Sequence, residues 1–309
     1  EEEEEEDGGG ASESGYESMQ GVACAYVHAP LLLDGKKFDL RLFVLITSWN
    51  PLCVYLYEGG LARFAESKYS LLISSETQVG RTHLTNHSFN EFGRRMMLDT
   101  LYTRICDERG VEFADSMWKA IDDLVVKMAL SVEGTMTKSL NNSSLRAACG
   151  HPNTQCFELL GIDVMFGVDG TPWLLEANLD PSLSTEDCIG TPKGANAKLK
   201  CEMLVDLFNL VGIKKPQPPE ATQPPPASDA AAKAAAAAAA EAEYKKAQAS
   251  RRLTSPEVQF GTVQHINAEF ERSKGGRWRR LLPSSRSAEY EQFIGGERLV
   301  RNKYPFAFQ

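Results

Sequence analysis

Two apolar runs joined by Asp169-Gly170 constrain this chain more than any other feature. Cys156–Asn178 reads Cys-Phe-Glu-Leu-Leu-Gly-Ile-Asp-Val-Met-Phe-Gly-Val-Asp-Gly-Thr-Pro-Trp-Leu-Leu-Glu-Ala-Asn. Asp-Gly favours a two-residue hairpin turn, because a type I′ turn needs φ > 0 at both central positions. With that turn Val168 faces Thr171, and an unbroken register outward puts Asp163 directly opposite Glu176. Asn178 lies two residues further on, so Asp163, Glu176 and Asn178 project from one face. A one-residue slip would dissolve this arrangement.

Two carboxylates about 5 Å apart repel by roughly 3 kcal/mol at an effective dielectric near 20, and like charges opposite one another weaken a sheet. A cation is therefore expected on that face. Two carboxylates and a carboxamide oxygen are hard ligands that suit magnesium, with water and phosphate oxygens completing its shell. The alternative is a plain turn at a sheet edge with one carboxylate in solvent. Against it stand the apolar neighbours Val164, Phe166, Trp173 and Leu175, which predict a well-covered sheet.

A second strand carries charge at one end. Lys37, Asp39 and Arg41 alternate with Phe38, Leu40 and Leu42, and the strand from Phe38 to Ser48 then turns apolar, with Phe43 and Leu45 on the formerly charged side. Lysine as a point charge, arginine as a bidentate fork and aspartate orienting both are suited to a phosphate chain. A surface salt-bridge ladder would leave the same pattern. Arg63, after Gly59-Gly60, and the polar run His83–Ser88 add donors. Neither a P-loop nor a Gly-rich dinucleotide fingerprint is present.

The remaining chain sets boundaries. At 309 residues and 42% hydrophobic content it can bury a core of one or two domains. Its net charge of −9 is uneven: residues 1–7 are all acidic, whereas residues 250–309 hold 11 Lys/Arg against 6 Asp/Glu. Residues 1–19 read as a disordered acidic tail, 20–213 as the main domain, and 214–253 as a Pro-rich linker followed by an Ala-rich helix. Residues 254–309 read as a basic extension. Within the main domain Val22–Val27 predicts a short strand, Asn50-Pro51 a turn leading into a hairpin partner at Leu52–Tyr57, and 111–130 an amphipathic core helix. Seven cysteines without a CxxC pair argue against a disulfide framework or structural zinc. No run approaches the ~20 apolar residues that cross a bilayer, so no membrane partner is expected.

These segments, in this order, resemble the tubulin tyrosine ligase-like family of ATP-grasp amino-acid ligases, and within it the polyglutamylase branch. The matching stretches are Pro30–Arg41, Gly60–Phe64, His83–Asn86, Gly161–Asp163, Pro172–Asn178 with Pro181–Leu183, and Lys200 leading into Asp206–Gly212. The resemblance implies an α+β, ATP-grasp-like fold with a mostly antiparallel sheet and flanking helices, represented by its C-terminal part and incomplete at the N-terminus, followed by the Ala-rich helix and a basic helical tail. It implies ATP and Mg2+ as cofactors, with Asp163, Glu176 and Asn178 as metal ligands. Tyr26 and Val27 would lie on the adenine hinge, with Lys37, Asp39, Thr85 and Asn86 around the nucleotide and Arg41 over the transferred phosphate. Arg63, His87, Ser88 and Lys200 would hold the incoming amino acid.

The implied reaction is ATP-dependent addition of glutamate to glutamate side chains of tubulin tails through an acyl phosphate, with Arg41 and Glu176 as catalytic residues. Tubulin or microtubules and free glutamate would be the partners, and cytoplasm and cytoskeleton, including the cilium or basal body, the location. A basic extension would be drawn to the acidic tails of tubulin. The same basic and aromatic mixture also suits RNA, but by the resemblance nucleic acid is not expected. Two departures stand out: Cys24-Ala-Tyr-Val27 replaces the family's Gln-Lys-Tyr-Ile, and His87-Ser-Phe-Asn-Glu91 replaces a tyrosine and lysine. A non-catalytic tubulin binder and a glycine ligase remain open as alternatives.

Overall fold

Strand β2 (Lys36–Trp49) is apolar on both faces over most of its length, as a strand must be when helices cover both sides of its sheet. The computed structural model describes residues 24–72, 75–85, 93–142, 157–213 and 266–293. In chain order these form β1 (Leu32–Leu33), β2, β3 (Leu52–Phe64), α1 (Glu76–His83), β4 (Arg95–Met97), α2 (Leu98–Arg109), α3 (Val111–Asn142), β5 (Glu158–Phe166), β6 (Pro172–Asn178), α4 (Ala195–Val211), a helix over 266–273 (α5), β7 (Trp278–Leu282) and a 3-10 turn at Ser287–Phe293. The sheet runs β4-β3-β2-β5-β6, with β1 added to β2 and β7 to β3, and every pairing is antiparallel. This is the α+β, ATP-grasp-like architecture expected from the sequence.

Alternation divides the sheet into two faces. Phe38, Leu40, Leu42, Val44, Ile162 and Val164 pack under α2 and α3, against Leu101, Met117, Ile121 and Val125. Phe43, Leu45, Tyr55, Tyr57 and Leu61 pack on the opposite face against Leu199, Met203, Leu207 and Leu210 of α4. Each such fully buried side chain contributes about 1.5–3 kcal/mol. The helix expected over 111–130 continues to Asn142 because its buried stripe persists with polar members. Glu133 is fully buried, and Thr137 Oγ1 donates to Glu133 Oε1 at 3.1 Å and to the Trp49 carbonyl at 3.2 Å. Hydrophobic periodicity does not register such members.

Several boundaries differ from the sequence expectation. Residues 24–27 are not a strand, and β3 runs past Tyr57 to Phe64. The β5–β6 connection is not a two-residue turn: Gly167 donates to the Thr171 carbonyl at 2.9 Å, and residues 168–170 form the loop, with Gly170 at φ +83°. That is a three-residue hairpin loop closed by a left-handed glycine. Strand β6 is an exposed edge, with Trp173 50% and Leu175 48% accessible, so the expected well-covered sheet holds for β5 alone. Among the described residues no helix is long and apolar enough to cross a membrane.

The described part of the basic extension belongs to the fold. Ile266 and Trp278 complete the α4-side core, and Glu269 accepts from Thr47 Oγ1 (2.7 Å) and Tyr55 OH (2.8 Å). Its arginines are engaged by the protein: Arg272 Nε donates to the Leu210 carbonyl, Arg277 Nη2 to the Glu58 carbonyl, Arg279 makes a fork on Asp122, and Arg280 lies 3.7 Å over Phe270. The Ala-rich helix expected in 214–253 and the acidic tail 1–19 lie outside the described residues.

Candidate functional site

The charged end of the α4-side face lies where the aromatic packing stops. Lys37, Asp39 and Arg41 occupy the same side of β2 as Phe43 and Leu45, and the ladder sets Asp39 opposite Arg63 and Arg41 opposite Asp163. These four residues form one network, in which Asp39, Arg63 and Asp163 are buried and Arg41 is half-buried. Arg63 donates from Nε to Asp39 Oδ1 and from Nη2 to Asp39 Oδ2, both at 2.7 Å, and from Nη2 to Asp163 Oδ2 at 2.7 Å. Arg41 donates from Nε to Asp163 Oδ1 at 2.6 Å and from Nη2 to Oδ2 at 3.1 Å. Thr85 Oγ1 donates to Asp39 Oδ2 at 2.7 Å. Burial pushes the Asp163 carboxyl up, but hydrogen bonds and charge from Arg41 and Arg63 outweigh it and hold the group below the usual aspartate range.

Asp163 pairs directly with Glu176 in the β5–β6 ladder, and Gly161 with Asn178. The expected juxtaposition is therefore present, though reached differently. Leu175 is an extra residue on β6: Val164 pairs with Leu174 on one side of it and Asp163 with Glu176 on the other. The longer loop displaces the register by one residue, and the bulge restores it. Gly161 is required by close approach, since a Cβ there would lie 2.7 Å from Pro181 Cβ and 3.4 Å from Arg41 Cδ and Nη1. Glu176 is exposed, and Asn178 Nδ2 donates to its Oε1 at 3.0 Å. A carboxylate offers about four lone-pair positions, of which Asp163 uses three on Arg41 and Arg63. One position on Asp163 Oδ1, the Glu176 carboxylate and the Asn178 amide oxygen are hard donors suited to magnesium. Among the described residues no three His, Cys, Asp or Glu side chains converge as a metal cluster.

Lys37 is buried beside this network. Its Nζ donates to the His83 carbonyl at 2.9 Å and to Tyr26 OH at 3.1 Å, and it lies 4.9 Å over the Tyr26 ring. Burial pulls the Lys37 amine below the usual lysine range, partly offset by Asp39. His83 Nε2 lies 2.8 Å from the Ser70 carbonyl and so carries its proton, leaving Nδ1 to accept from Tyr26 OH at 2.5 Å. Val27 is half-buried next to Tyr26 in the chain. Asn86, His87 and Ser88 lie outside the described residues.

On the other side of Arg41 is a cavity of about 360 Å³, lined by Arg41, Arg63, Arg95, Ser184, Glu186, Asn196 and Lys200 among others. Lys200 and Asn196 sit one turn apart on the buried face of α4 and hold the loop that follows β6. Lys200 Nζ donates to the Ser184 carbonyl at 2.6 Å, and Asn196 Nδ2 donates to the Ser184 and Glu186 carbonyls at 3.1 and 2.7 Å. Burial lowers the Lys200 pKa, with Arg41 and Arg95 adding to the effect and Cys188 opposing it. Sequence reasoning missed Arg95 and Asn196. For Asn196 a signal existed: with Lys200 it interrupts the apolar stripe Leu199, Met203, Leu207 and Leu210.

An open antiparallel sheet flanked by helices, carrying paired carboxylates, a buried lysine and a cationic cavity at one end, defines an ATP-grasp-like domain. Residues 12–221 match the family model described as "Tubulin-tyrosine ligase family", and the chain belongs to that family. It is 35% identical over 207 residues to human "Tubulin monoglutamylase TTLL4", covering 62% of this chain and 16% of that protein. It is 27% identical over 280 residues to human "Tubulin polyglutamylase TTLL6", covering 87% of this chain and 29% of the relative. The mouse "Tubulin polyglutamylase TTLL5" is 32% identical over 212 residues, 64% of this chain and 15% of its own. The chain thus spans less than a third of the length of each of these relatives.

Proposed function

We propose that this chain is part of an ATP- and magnesium-dependent ligase that adds glutamate to glutamate side chains of tubulin tails. The observation that carries the reading is the placement of Asp163 opposite Glu176, between a buried lysine on one side and a cationic cavity on the other. The relatives' names, which specify tubulin glutamylation, support the substrate class and an association with the cytoskeleton.

Glu176, Asn178 and the remaining lone pair of Asp163 would hold magnesium, which when bound neutralises phosphate charge. Lys37 and Asp39 with Thr85 would line the nucleotide beside Tyr26 and Val27, Asn86 being assigned by the resemblance alone. A carboxylate oxygen of the acceptor glutamate attacks the γ-phosphorus of ATP, and ADP leaves. The amine nitrogen of the free amino acid then attacks the acyl carbon, inorganic phosphate leaves, and the amine gives up its surplus proton. Arg41 has two of its five N–H groups on Asp163, so others are available at the cavity wall for the charge that develops on the transferred phosphoryl group. Catalysis by this route needs positioning and charge neutralisation and no protein nucleophile.

The test is incorporation of radiolabelled glutamate into tubulin, with ATP and magnesium, by the full-length protein that contains this chain. Incorporation that stops when magnesium is chelated supports the reading. No incorporation, with microtubule co-sedimentation retained, would replace it by a non-catalytic tubulin binder, and incorporation of glycine alone by a glycine ligase.

A further inference from the structure

Arg95 sits directly opposite Arg63 in the β3–β4 ladder. Two cations in register on neighbouring strands repel, and only one of this pair is neutralised. Arg63 is held by Asp39 and Asp163, whereas no carboxylate or carbonyl among the described residues accepts from the Arg95 guanidinium, although the residue is only 7% exposed. The Arg95 guanidinium therefore opens on the 360 Å³ cavity, which it lines with Lys200, and has room there for an acceptor that the described residues do not supply. The same wall carries an unmet group of opposite kind. Asn196 uses its Nδ2 on two carbonyls, which fixes the amide, and its Oδ1 is buried without a donor. The two acidic residues of the lining, Glu186 and Asp187, are exposed, whereas Arg95 and Lys200 are each 7% exposed, so the inner wall carries two cations and one orphan acceptor, which matches an amino acid with two carboxylates and one ammonium.

The sheet order fixes which carboxylate goes where. The reacting end lies at β2 and β5, around Arg41 and Asp163, and β4 lies two strands from β2, about 10 Å away at the usual strand spacing. The amine must reach the acyl carbon at the Arg41 end, so the carboxylate on the amine-bearing carbon stays close to it. The carboxylate at the tip of the side chain extends toward β4.

Resting on the ligase reading above, we infer that Arg95, rather than Arg63, binds the side-chain carboxylate of the incoming amino acid and sets the preference for glutamate over glycine, with Lys200 on the α-carboxylate. Arg63 is a structural member of the Asp39–Asp163 network, which takes three of its five N–H groups and neutralises its charge with two carboxylates.

The experiment compares full-length wild type with Arg95→Gln and Arg95→Lys for the KM of glutamate, the KM of ATP and the glutamate-to-glycine ratio. Direct binding of free L-glutamate is read by calorimetry, and thermal unfolding confirms that each variant is folded. Losing a charge-assisted contact predicts an increase of about 10- to 100-fold in the KM and Kd for glutamate in Arg95→Gln. The glutamate-to-glycine ratio falls by a similar factor, the KM for ATP stays put, and Arg95→Lys recovers part of the loss. An unchanged KM and Kd for glutamate in a folded Arg95→Gln, or an equal loss for glycine, would overturn the assignment while leaving the ligase reading intact. Wild type that neither incorporates nor binds glutamate would overturn both.

Discussion

Arg63 and Asp39 face each other across β2 and β3 and are joined by two hydrogen bonds of 2.7 Å, while the same Arg63 Nη2 reaches Asp163 at 2.7 Å. All three side chains are buried. Their attraction offsets desolvation only while every partner is present, since removing one leaves a buried charge uncompensated. Asp39→Asn keeps the shape but removes the charge, and is expected to destabilise the protein by about 3–5 kcal/mol, read from urea unfolding. Glu289→Gln, which breaks the exposed ion pair with Arg286, is the control and should leave the midpoint unchanged.

Glu176 gives the opposite expectation. It is exposed, and its described hydrogen bond is the one it accepts from Asn178, so Glu176→Gln should leave stability where it is. If Glu176 holds magnesium, the same variant loses magnesium-dependent ATP binding. Titration calorimetry with and without magnesium separates the two effects, and unchanged nucleotide affinity would remove the metal assignment.

Asp163 predicts an acid limb in the stability profile. Its carboxyl is buried, which raises its pKa, but Arg41 and Arg63 bring the net value below that of an unfolded aspartate. Between the two values the unfolded chain binds more protons, so stability rises with pH across that window. The contribution is complete above the unfolded value near 3.9 and is lost as pH falls through the folded one. Chemical denaturation from pH 7 down to pH 3 should show Asp163→Asn less stable at neutral pH and less dependent on pH below about 4.

How far the site was legible follows from these residues. The alternation Lys37, Asp39, Arg41 and then Phe43, Leu45 is a local pattern, and the structure keeps all five on one face. The pairing of Asp163 with Glu176 also emerged, but through two offsetting departures, a longer loop and the bulge at Leu175, neither of which the sequence announces. Arg95 was invisible because its importance lies in what it lacks. Only the tertiary arrangement shows that Asp39 and Asp163 neutralise its neighbour Arg63 and leave Arg95 without an acceptor among the described residues. In 266–293, read from the sequence as part of a basic extension, composition gives the charge but not the partners, and the arginines there are bonded to Leu210, Glu58 and Asp122.

Trp278 is 2% exposed, lies 5.0 Å from the Tyr57 ring between centroids, and donates from Nε1 to the Met203 carbonyl at 3.2 Å. It therefore fastens β7 both to the sheet and to α4, the helix that supplies Lys200 to the cavity. Replacing it with alanine opens a cavity in that core and should cost about 3–5 kcal/mol, with loss of any activity following the loss of structure. Lys274→Ala removes an exposed charge paired with Glu271 and should leave stability unchanged. Denaturant unfolding of both variants in full-length protein decides the matter. A wild-type midpoint for Trp278→Ala would mean that 266–293 rests on the domain without supporting it, and its basic residues would then be free to serve a partner instead.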